Sequence, residues 1–94
     1  MLTQNEYFDG KVKSIGFAAS EGKASVGVME AGEYEFGTSC HEIMKVISGS
    51  LTVVLPGTDA EIVFHPGETF EVDGGQSFKV KITEASSYLC LYGE

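Results

Sequence analysis

The sequence predicts an all-β fold, and two observations carry that prediction. Short runs rich in β-branched and aromatic side chains recur along the chain, and each run ends at a Gly, Pro, Asp or Ser break. Glycine contributes 12 of the 94 residues, which is typical of a fold with many turns. No helix of normal length fits between the breaks, so we expect a sandwich or barrel of short strands.

The first three predicted strands are Lys11–Phe17, Ala24–Met29 and Gly32–Phe36. Each carries β-branched or aromatic side chains that suit a pleated, half-buried surface. Turn residues at Ser20-Glu21-Gly22 and Glu30-Ala31-Gly32 separate them.

The fourth and fifth predicted strands are Glu42–Ser48 and Leu51–Leu55, joined by the turn Ser48-Gly49-Ser50. A helical turn over Ser39–Met44 is the alternative for the start of the fourth strand. Its apolar periodicity is too short to decide, and the β-branched pair Val46-Ile47 favours a strand.

The last four predicted strands are Ala60–Phe64, Glu68–Val72, Ser77–Ile82 and Ser87–Tyr92. Each of the first three follows a turn. In chain order these turns are Pro56-Gly57-Thr58-Asp59, His65-Pro66-Gly67 and Asp73-Gly74-Gly75. The length suits one domain, residues 1–94, with no linker or repeat to divide it.

Alternation assigns faces to two of these strands. Phe78, Val80 and Ile82 share one side of their strand, so the intervening lysines are expected to point outward. The strand Leu51–Leu55 is apolar on both sides because Val54 faces away from its other apolar residues. We therefore expect a second sheet or a second subunit to cover it, as in a homodimer formed by sheet packing.

The charge balance excludes two classes of partner. The net charge is −8, and all 6 basic residues are lysines. Nucleic acid polymers would be repelled, and the basic residues form no cluster that would attract an acidic membrane surface. The segment Met1–Gly16 lacks the apolar run of a secretory signal, so we expect a cytoplasmic protein with Cys40 and Cys90 as free thiols.

Several motifs that carry known chemistry are absent from the sequence: the phosphate-binding loop, CxxC, HExxH and G-x-S-x-G. His41 and His65 are the only imidazoles, and His65 is expected to be exposed in its turn.

One longer pattern resembles the two motifs of the cupin superfamily. It runs from Glu42 through the Gly49 turn, and then through His65-Pro-Gly67-Glu68 to Phe78. In cupins the first motif is H-x-H-x₃-E, and three imidazoles with one carboxylate bind a divalent metal. On this chain the histidine positions hold Phe36, Thr38 and Phe78, and only Glu42 remains. The resemblance therefore implies a cupin-like double-stranded β-helix, or jelly-roll barrel, with no metal site.

A closer resemblance covers nearly the whole chain. The opening Asn5-Glu-Tyr-Phe8-Asp-Gly10-Lys-Val12-Lys-Ser14-Ile-Gly16-Phe17, then Ala24-Ser-Val-Gly-Val-Met29, Gly32-Glu-Tyr34, Met44-Lys-Val-Ile-Ser-Gly49 and Ser87-Tyr-Leu-Cys90 are similar to the small bacterial pyrimidine/purine nucleoside phosphorylase family. That resemblance implies a pentosyltransferase that cleaves nucleosides with phosphate, giving the free base and ribose 1-phosphate with broad base tolerance. Inorganic phosphate is then the co-substrate, and no cofactor is expected.

If Glu42 occupies the cupin ligand position, it faces an apolar cup. Its expected neighbours on the inner face are Phe36, Thr38, Met44, Phe78 and Tyr88. The carboxylate would hydrogen-bond ribose or stabilise positive charge on the sugar, and the rings would stack on a base. The structural alternatives are a rim carboxylate paired with a lysine and rings that only pack the core.

The phosphate site is harder to place from the sequence. Alternation puts Lys11 and Lys13 on one face with Ile15 and Phe17, and these two lysines are the candidates at the barrel mouth. Backbone amides in the Ser, Thr and Gly turns are an alternative site for the anion. His41 is a candidate general acid or anion donor, although alternation turns it away from Glu42 unless the loop ends there. The alternative function is a non-catalytic, metal-free cupin that binds a small molecule. A metal-dependent cupin isomerase or dioxygenase is disfavoured by the missing histidines.

Overall fold

The computed structural model describes residues 2–20 and 22–93, which form ten strands in two antiparallel sheets. The strands are β1 (Thr3–Tyr7), β2 (Val12–Ala19), β3 (Gly22–Met29), β4 (Gly32–Gly37), β5 (Glu42–Ser48), β6 (Leu51–Val54), β7 (Glu61–Phe64), β8 (Thr69–Val72), β9 (Ser77–Ile82) and β10 (Ser86–Tyr92). The six-stranded sheet has the order β1-β2-β3-β10-β5-β8, and the four-stranded sheet has the order β4-β9-β6-β7. The predicted all-β fold class is confirmed.

The nine predicted strands correspond to β2–β10, with ends that differ by at most two residues. The helical turn considered at Ser39–Met44 does not form, because β5 begins at Glu42. The prediction missed β1, which reads Thr-Gln-Asn-Glu-Tyr and is mostly exposed. Its register runs from Thr3 opposite Gly16 to Tyr7 opposite Val12 at the edge of the larger sheet. A polar edge strand shows no buried alternation, so the sequence gives little sign of it.

The core lies between the inner faces of the two sheets. It contains Val12, Met29, Tyr34, Met44, Val46, Leu51, Val53, Phe70, Val72, Phe78, Val80, Ile82, Tyr88 and Cys90. The alternation predicted for β9 is confirmed, since Phe78, Val80 and Ile82 are buried and both intervening lysines are exposed. Within the described residues no helix is long and apolar enough to cross a membrane.

The outward sides of the two sheets differ in character. On the four-stranded sheet, Val54 is only half-buried, and nearby pairs such as Glu33–Lys81 and Glu35–Lys79 lie opposite one another. That side is therefore mostly charged, although Ile62 and Val63 on β7 of this sheet are also exposed. On the six-stranded sheet, exposed apolar side chains form a surface we call the outer apolar face: Ile15, Val26, Val28 and Ile47.

Two glycine turns allow a test of this packing. Gly49 has φ +77 and Gly67 has φ +89, a region that disfavours any side chain. A Cβ at Gly49 would also overlap the buried hydroxyl of Ser86, whereas Gly67 has open space around it. We expect Gly67→Ala to lower the free energy of unfolding by about 1 kcal/mol. Gly49→Ala should lower the free energy of unfolding by at least about 1 kcal/mol more than Gly67→Ala does, because its Cβ overpacks the space beside Ser86. Urea denaturation of both variants measures the difference, and equal losses would contradict the packing at Ser86.

Candidate active site

A cavity of about 400 Å³ lies between the two sheets. Its walls come from both sheets and from the turn that joins β1 to β2. The lining residues are Tyr7, Phe8, Ser14, Met29, Glu35, Phe36, Gly37, Glu42, Met44, Phe78, Tyr88, Cys90 and Tyr92. A cavity of this size with few polar groups on apolar walls is typical of a small-molecule site.

Glu42 is the half-buried carboxylate of this cavity. As the first residue of β5 it lies on the same inner face as Met44, and the Cys90 thiol donates a hydrogen bond to its Oε1 over 3.5 Å. Burial raises the pKa of Glu42 above its ordinary value, and the bond from Cys90 opposes that rise. A carboxyl group in such surroundings can bind a hydroxyl group or respond to charge that develops beside it.

Aromatic rings form the facing wall. The ring centroids of Phe36 and Phe78 are 5.6 Å apart, and Phe8 packs edge-on against Phe36 at 5.5 Å. Phe8 and Asp9 both have positive φ, at 54° and 57°. This conformation is costly for a residue with a bulky side chain, and here it directs the Phe8 ring against the wall of the cavity.

Tyr88 fits into the cavity because β3 has a glycine opposite it. Gly27 pairs with Tyr88, and a Cβ at that position would overlap the tyrosine hydroxyl. Burial raises the pKa of Tyr88 to about 12, with a smaller contribution from the nearby Cys90. The phenol is therefore protonated near neutral pH and is available as a hydrogen-bond donor.

The structure brings together five of the nine residues predicted for the site: Phe36, Glu42, Met44, Phe78 and Tyr88. The other four do not line the cavity: Thr38, His41, Lys11 and Lys13. Thr38 has a structural contact, since its hydroxyl donates to the Asp73 carbonyl at 2.6 Å and accepts from the Gln76 amide at 3.1 Å.

The two predicted lysines lie away from the cavity. Lys13 pairs with Glu6 at 3.6 Å and shares the outward side of β2 with Ile15. Lys11 is exposed in the turn before β2. The alternation that groups them with Ile15 is correct, but that side of β2 faces outward, so neither reaches the space beside Glu42.

His41 lies outside the cavity between two carboxylates. Its Nε2 is 2.9 Å from Glu71 Oε1, and its Nδ1 is 3.0 Å from Asp73 Oδ1. These contacts tie the chain before β5 to the end of β8. The hydrogen bond to Glu71, then the one to Asp73, raises the pKa of His41.

A family model, named relatives and a solved structure are all similar to this chain. A family model described as pyrimidine/purine nucleoside phosphorylase matches residues 2–92. A protein of that name from Shewanella pealeana is 58% identical over 99% of this chain and 100% of its own length, and one from Yersinia enterocolitica is 59% identical over 98% of both. The crystal structure of a protein of unknown function from Vibrio parahaemolyticus has a TM-score of 0.92 at 42% identity, with 96% of each chain covered.

The chain belongs to the pyrimidine/purine nucleoside phosphorylase family. A cupin superfamily protein from Desulfitobacterium hafniense has a TM-score of 0.72 at 14% identity, covering 94% of this chain and 82% of its own. At that identity the likeness shows the fold alone. The predicted cupin-like architecture is confirmed for this member of the phosphorylase family.

The cupin metal site does not fit the residues of this phosphorylase family member. Two of its ligand positions hold Phe36 and Phe78, whose rings pack together, and Thr38 is bonded to the backbone. Among residues 2–20 and 22–93, no group of three or more His, Cys, Asp or Glu side chains is placed to hold a metal ion.

Eight lining residues were not predicted from the sequence: Tyr7, Phe8, Ser14, Met29, Glu35, Gly37, Cys90 and Tyr92. Tyr7 and Phe8 belong to the unpredicted strand β1 and its turn. Ser14, Cys90 and Tyr92 lie on predicted strands, and alternation alone puts Cys90 and Tyr92 on the same side as Tyr88. That alternation is the sequence signal by which Cys90 and Tyr92 could have been predicted.

The contacts of His41 make a prediction about stability and pH. Because its pKa is raised on folding, its stabilising effect is fully present below the unfolded pKa of about 6.5 and is lost as pH rises through the folded pKa. We expect the Tm of His41→Gln to fall below that of the unaltered protein at about pH 6 and to approach it at higher pH. The effect should be small because exposed ion pairs contribute little. A Tm difference that grows with pH would contradict this assignment.

Proposed function

We propose that this protein is a nucleoside phosphorylase, a pentosyltransferase that acts on purine and pyrimidine nucleosides with broad base specificity. The supporting observation is the half-buried Glu42 carboxylate facing a wall of aromatic rings in one cavity. The names of its relatives, at 58% and 59% identity over almost their full length, support the same reaction class.

The aromatic wall accounts for base tolerance. The rings of Phe36, Phe78 and Phe8 offer faces and edges to a flat base and no hydrogen-bond donor that would distinguish one base edge from another. Stacking depends on the π-face that every base has. Purines and pyrimidines should therefore bind in the same place with similar affinity.

In the proposed reaction a phosphate oxygen bonds to C1′ of the ribose while the bond between C1′ and the base nitrogen breaks. The electron pair of that bond leaves with the base, which takes up a proton from solvent while the phosphate, as hydrogen phosphate, releases one, so that protons balance. The sugar is electron-poor in the transition state, and the Glu42 carboxylate stabilises it or binds the ribose hydroxyls. The protonated Tyr88 phenol supplies a donor on the same side. His41 lies outside this cavity, so the proposal gives it no step.

Phosphate-dependent release of base tests the proposed function. Purified protein is incubated with uridine or adenosine, with and without inorganic phosphate, and free base and ribose 1-phosphate are quantified. We expect equal amounts of both products, only when phosphate is present, and unchanged rates after chelation. Nucleoside binding without base release would instead favour the alternative function, a metal-free cupin that only binds a small molecule.

We further propose that the protein is a homodimer built on the outer apolar face. Ile15 lies opposite Val26, and Val26 lies opposite Leu89, so the apolar surface runs across three neighbouring strands. A continuous patch of this kind on a small domain is suited to a matching copy of itself. We expect Val26→Lys to convert a dimer to a monomer in light scattering, with β-sheet circular dichroism unchanged. A monomeric unaltered protein would contradict the proposal.

We place this activity in the cytoplasm. That compartment keeps thiols reduced, which agrees with the free Cys40 and Cys90.

A further inference from the structure

A second cavity, of about 450 Å³, adjoins the first. Its lining residues are Thr3, Asn5, Gly16, Phe17, Ala18, Lys23, Ala24, Ser25, Ser39, Cys40 and Tyr92. Tyr92 lines both cavities, and its hydroxyl is 2.8 Å from the Ser25 hydroxyl. Tyr92 therefore lies where the two cavities meet.

Both cavities lie on the same side of the six-stranded sheet. Ser25 pairs with Gly16 on one neighbour and with Cys90 on the other, and Cys90 lines the first cavity. Tyr92 pairs with Glu42, which also lines the first cavity. Because residues in register share a face, the inner surface runs without a break from Glu42 past Tyr92 to Ser25.

The two cavities differ in charge. Among their described lining residues, the first has two carboxylates, Glu35 and Glu42, and no cation. The second has Lys23 and no carboxylate, together with the hydroxyl and amide donors of Thr3, Asn5, Ser25 and Ser39. A dianion such as phosphate is repelled by the first set and attracted by the second.

Strand alternation explains why Lys23 faces the second cavity and other lysines do not. Lys23 lies two residues before Ser25 on β3 and so shares its inner side. Lys13 shares the outward side of β2 with Ile15, and Lys79 and Lys81 are on the outward side of β9. None of these three lines either of the two cavities.

We propose that the second cavity is the phosphate site and that Lys23 binds the phosphate, an inference that rests on the proposed function. Nucleoside in the first cavity and phosphate in the second would meet beside Tyr92. The hydroxyls around Lys23 donate to phosphate oxygens, and the ammonium group balances part of the charge. Glu42 then acts on the sugar while Lys23 holds the nucleophile.

Steady-state kinetics of Lys23→Gln tests the proposal, with Lys13→Gln as the matched control. We expect Lys23→Gln to raise the phosphate KM at least about tenfold, with nucleoside KM and kcat changed by less than about threefold, because one charge-assisted contact is lost. Lys23→Arg should restore the phosphate KM, since it keeps the charge. Lys13→Gln should behave like the unaltered protein.

Direct phosphate binding separates failure of this inference from failure of the proposed function. Inorganic phosphate is titrated into the protein in a calorimeter, without nucleoside. We expect binding that Lys23→Gln weakens. If the unaltered protein binds phosphate through Lys23 but cleaves no nucleoside, the site stands and the proposed reaction fails. If Lys23→Gln leaves both phosphate binding and phosphate KM unchanged, the assignment of Lys23 is wrong.

Discussion

Glu42→Gln should lower kcat by about 10²-fold while the protein stays folded, because the substitution keeps the shape of the side chain and removes its charge. Glutamine retains a carbonyl oxygen that can accept the weak bond from Cys90, so the packing at the start of β5 is preserved. The loss should fall on kcat more than on nucleoside KM, since the carboxylate acts mainly on charge that develops in the transition state.

The matched control is Glu35→Gln, which removes the other carboxylate of the first cavity. Glu35 is exposed and pairs across the sheet with Lys79. We expect its kcat to stay within about threefold of the unaltered value.

The pH profile of kcat gives a second readout for Glu42. Burial raises the pKa of Glu42, so an acid limb of kcat with its midpoint above the ordinary carboxyl pKa should be present and should disappear in Glu42→Gln. Unchanged kinetics in Glu42→Gln would make this residue structural.

Gly27→Ala should destabilise the protein and damage the cavity together. The added Cβ would overlap the Tyr88 ring, which lies in the core and cannot move without displacing its neighbours. We expect the free energy of unfolding to fall by about 1–3 kcal/mol, the range for overpacking. Because Tyr88 is the residue displaced, nucleoside KM should rise in the fraction that remains folded.

Gly16→Ala is the control for this effect. Gly16 lies on the inner side of the adjacent strand β2, and the nearest atom to a Cβ there is 3.7 Å away, an ordinary contact. Its free energy of unfolding should stay the same or rise by up to about 1 kcal/mol, because alanine restricts the unfolded chain. Equal losses in the two variants, measured by urea denaturation, would contradict the packing of Tyr88 on Gly27.

The sequence predicted most strands well because burial on one side leaves a period of two. In β9 the apolar residues Phe78, Val80 and Ile82 alternate with lysines, and in β5 the residues Met44 and Val46 follow Glu42 on the same face. These patterns fix which side chains face inward. The sequence alone therefore predicts that Glu42 lies among aromatic residues.

The parts of the site that the sequence did not predict depend on edges and turns. Strand β1 is polar, so its residue Tyr7 and the turn residue Phe8 gave no periodic signal. Positive φ at Phe8 cannot be expected from a phenylalanine, which seldom adopts it. The choice among lysines required knowing which side of each strand faces the cavity. Lys23 shares its side with a buried serine, so apolar alternation does not mark it.

The proposed reaction requires the nucleoside to bind in the first cavity. A crystal structure of the protein soaked with uridine and inorganic phosphate tests it most directly. We expect the base against Phe36 and Phe78, the ribose hydroxyls within hydrogen-bond distance of Glu42, and phosphate beside Lys23. A nucleoside bound elsewhere on the protein, with only solvent in the space around Glu42, would rule out the first cavity as the nucleoside site.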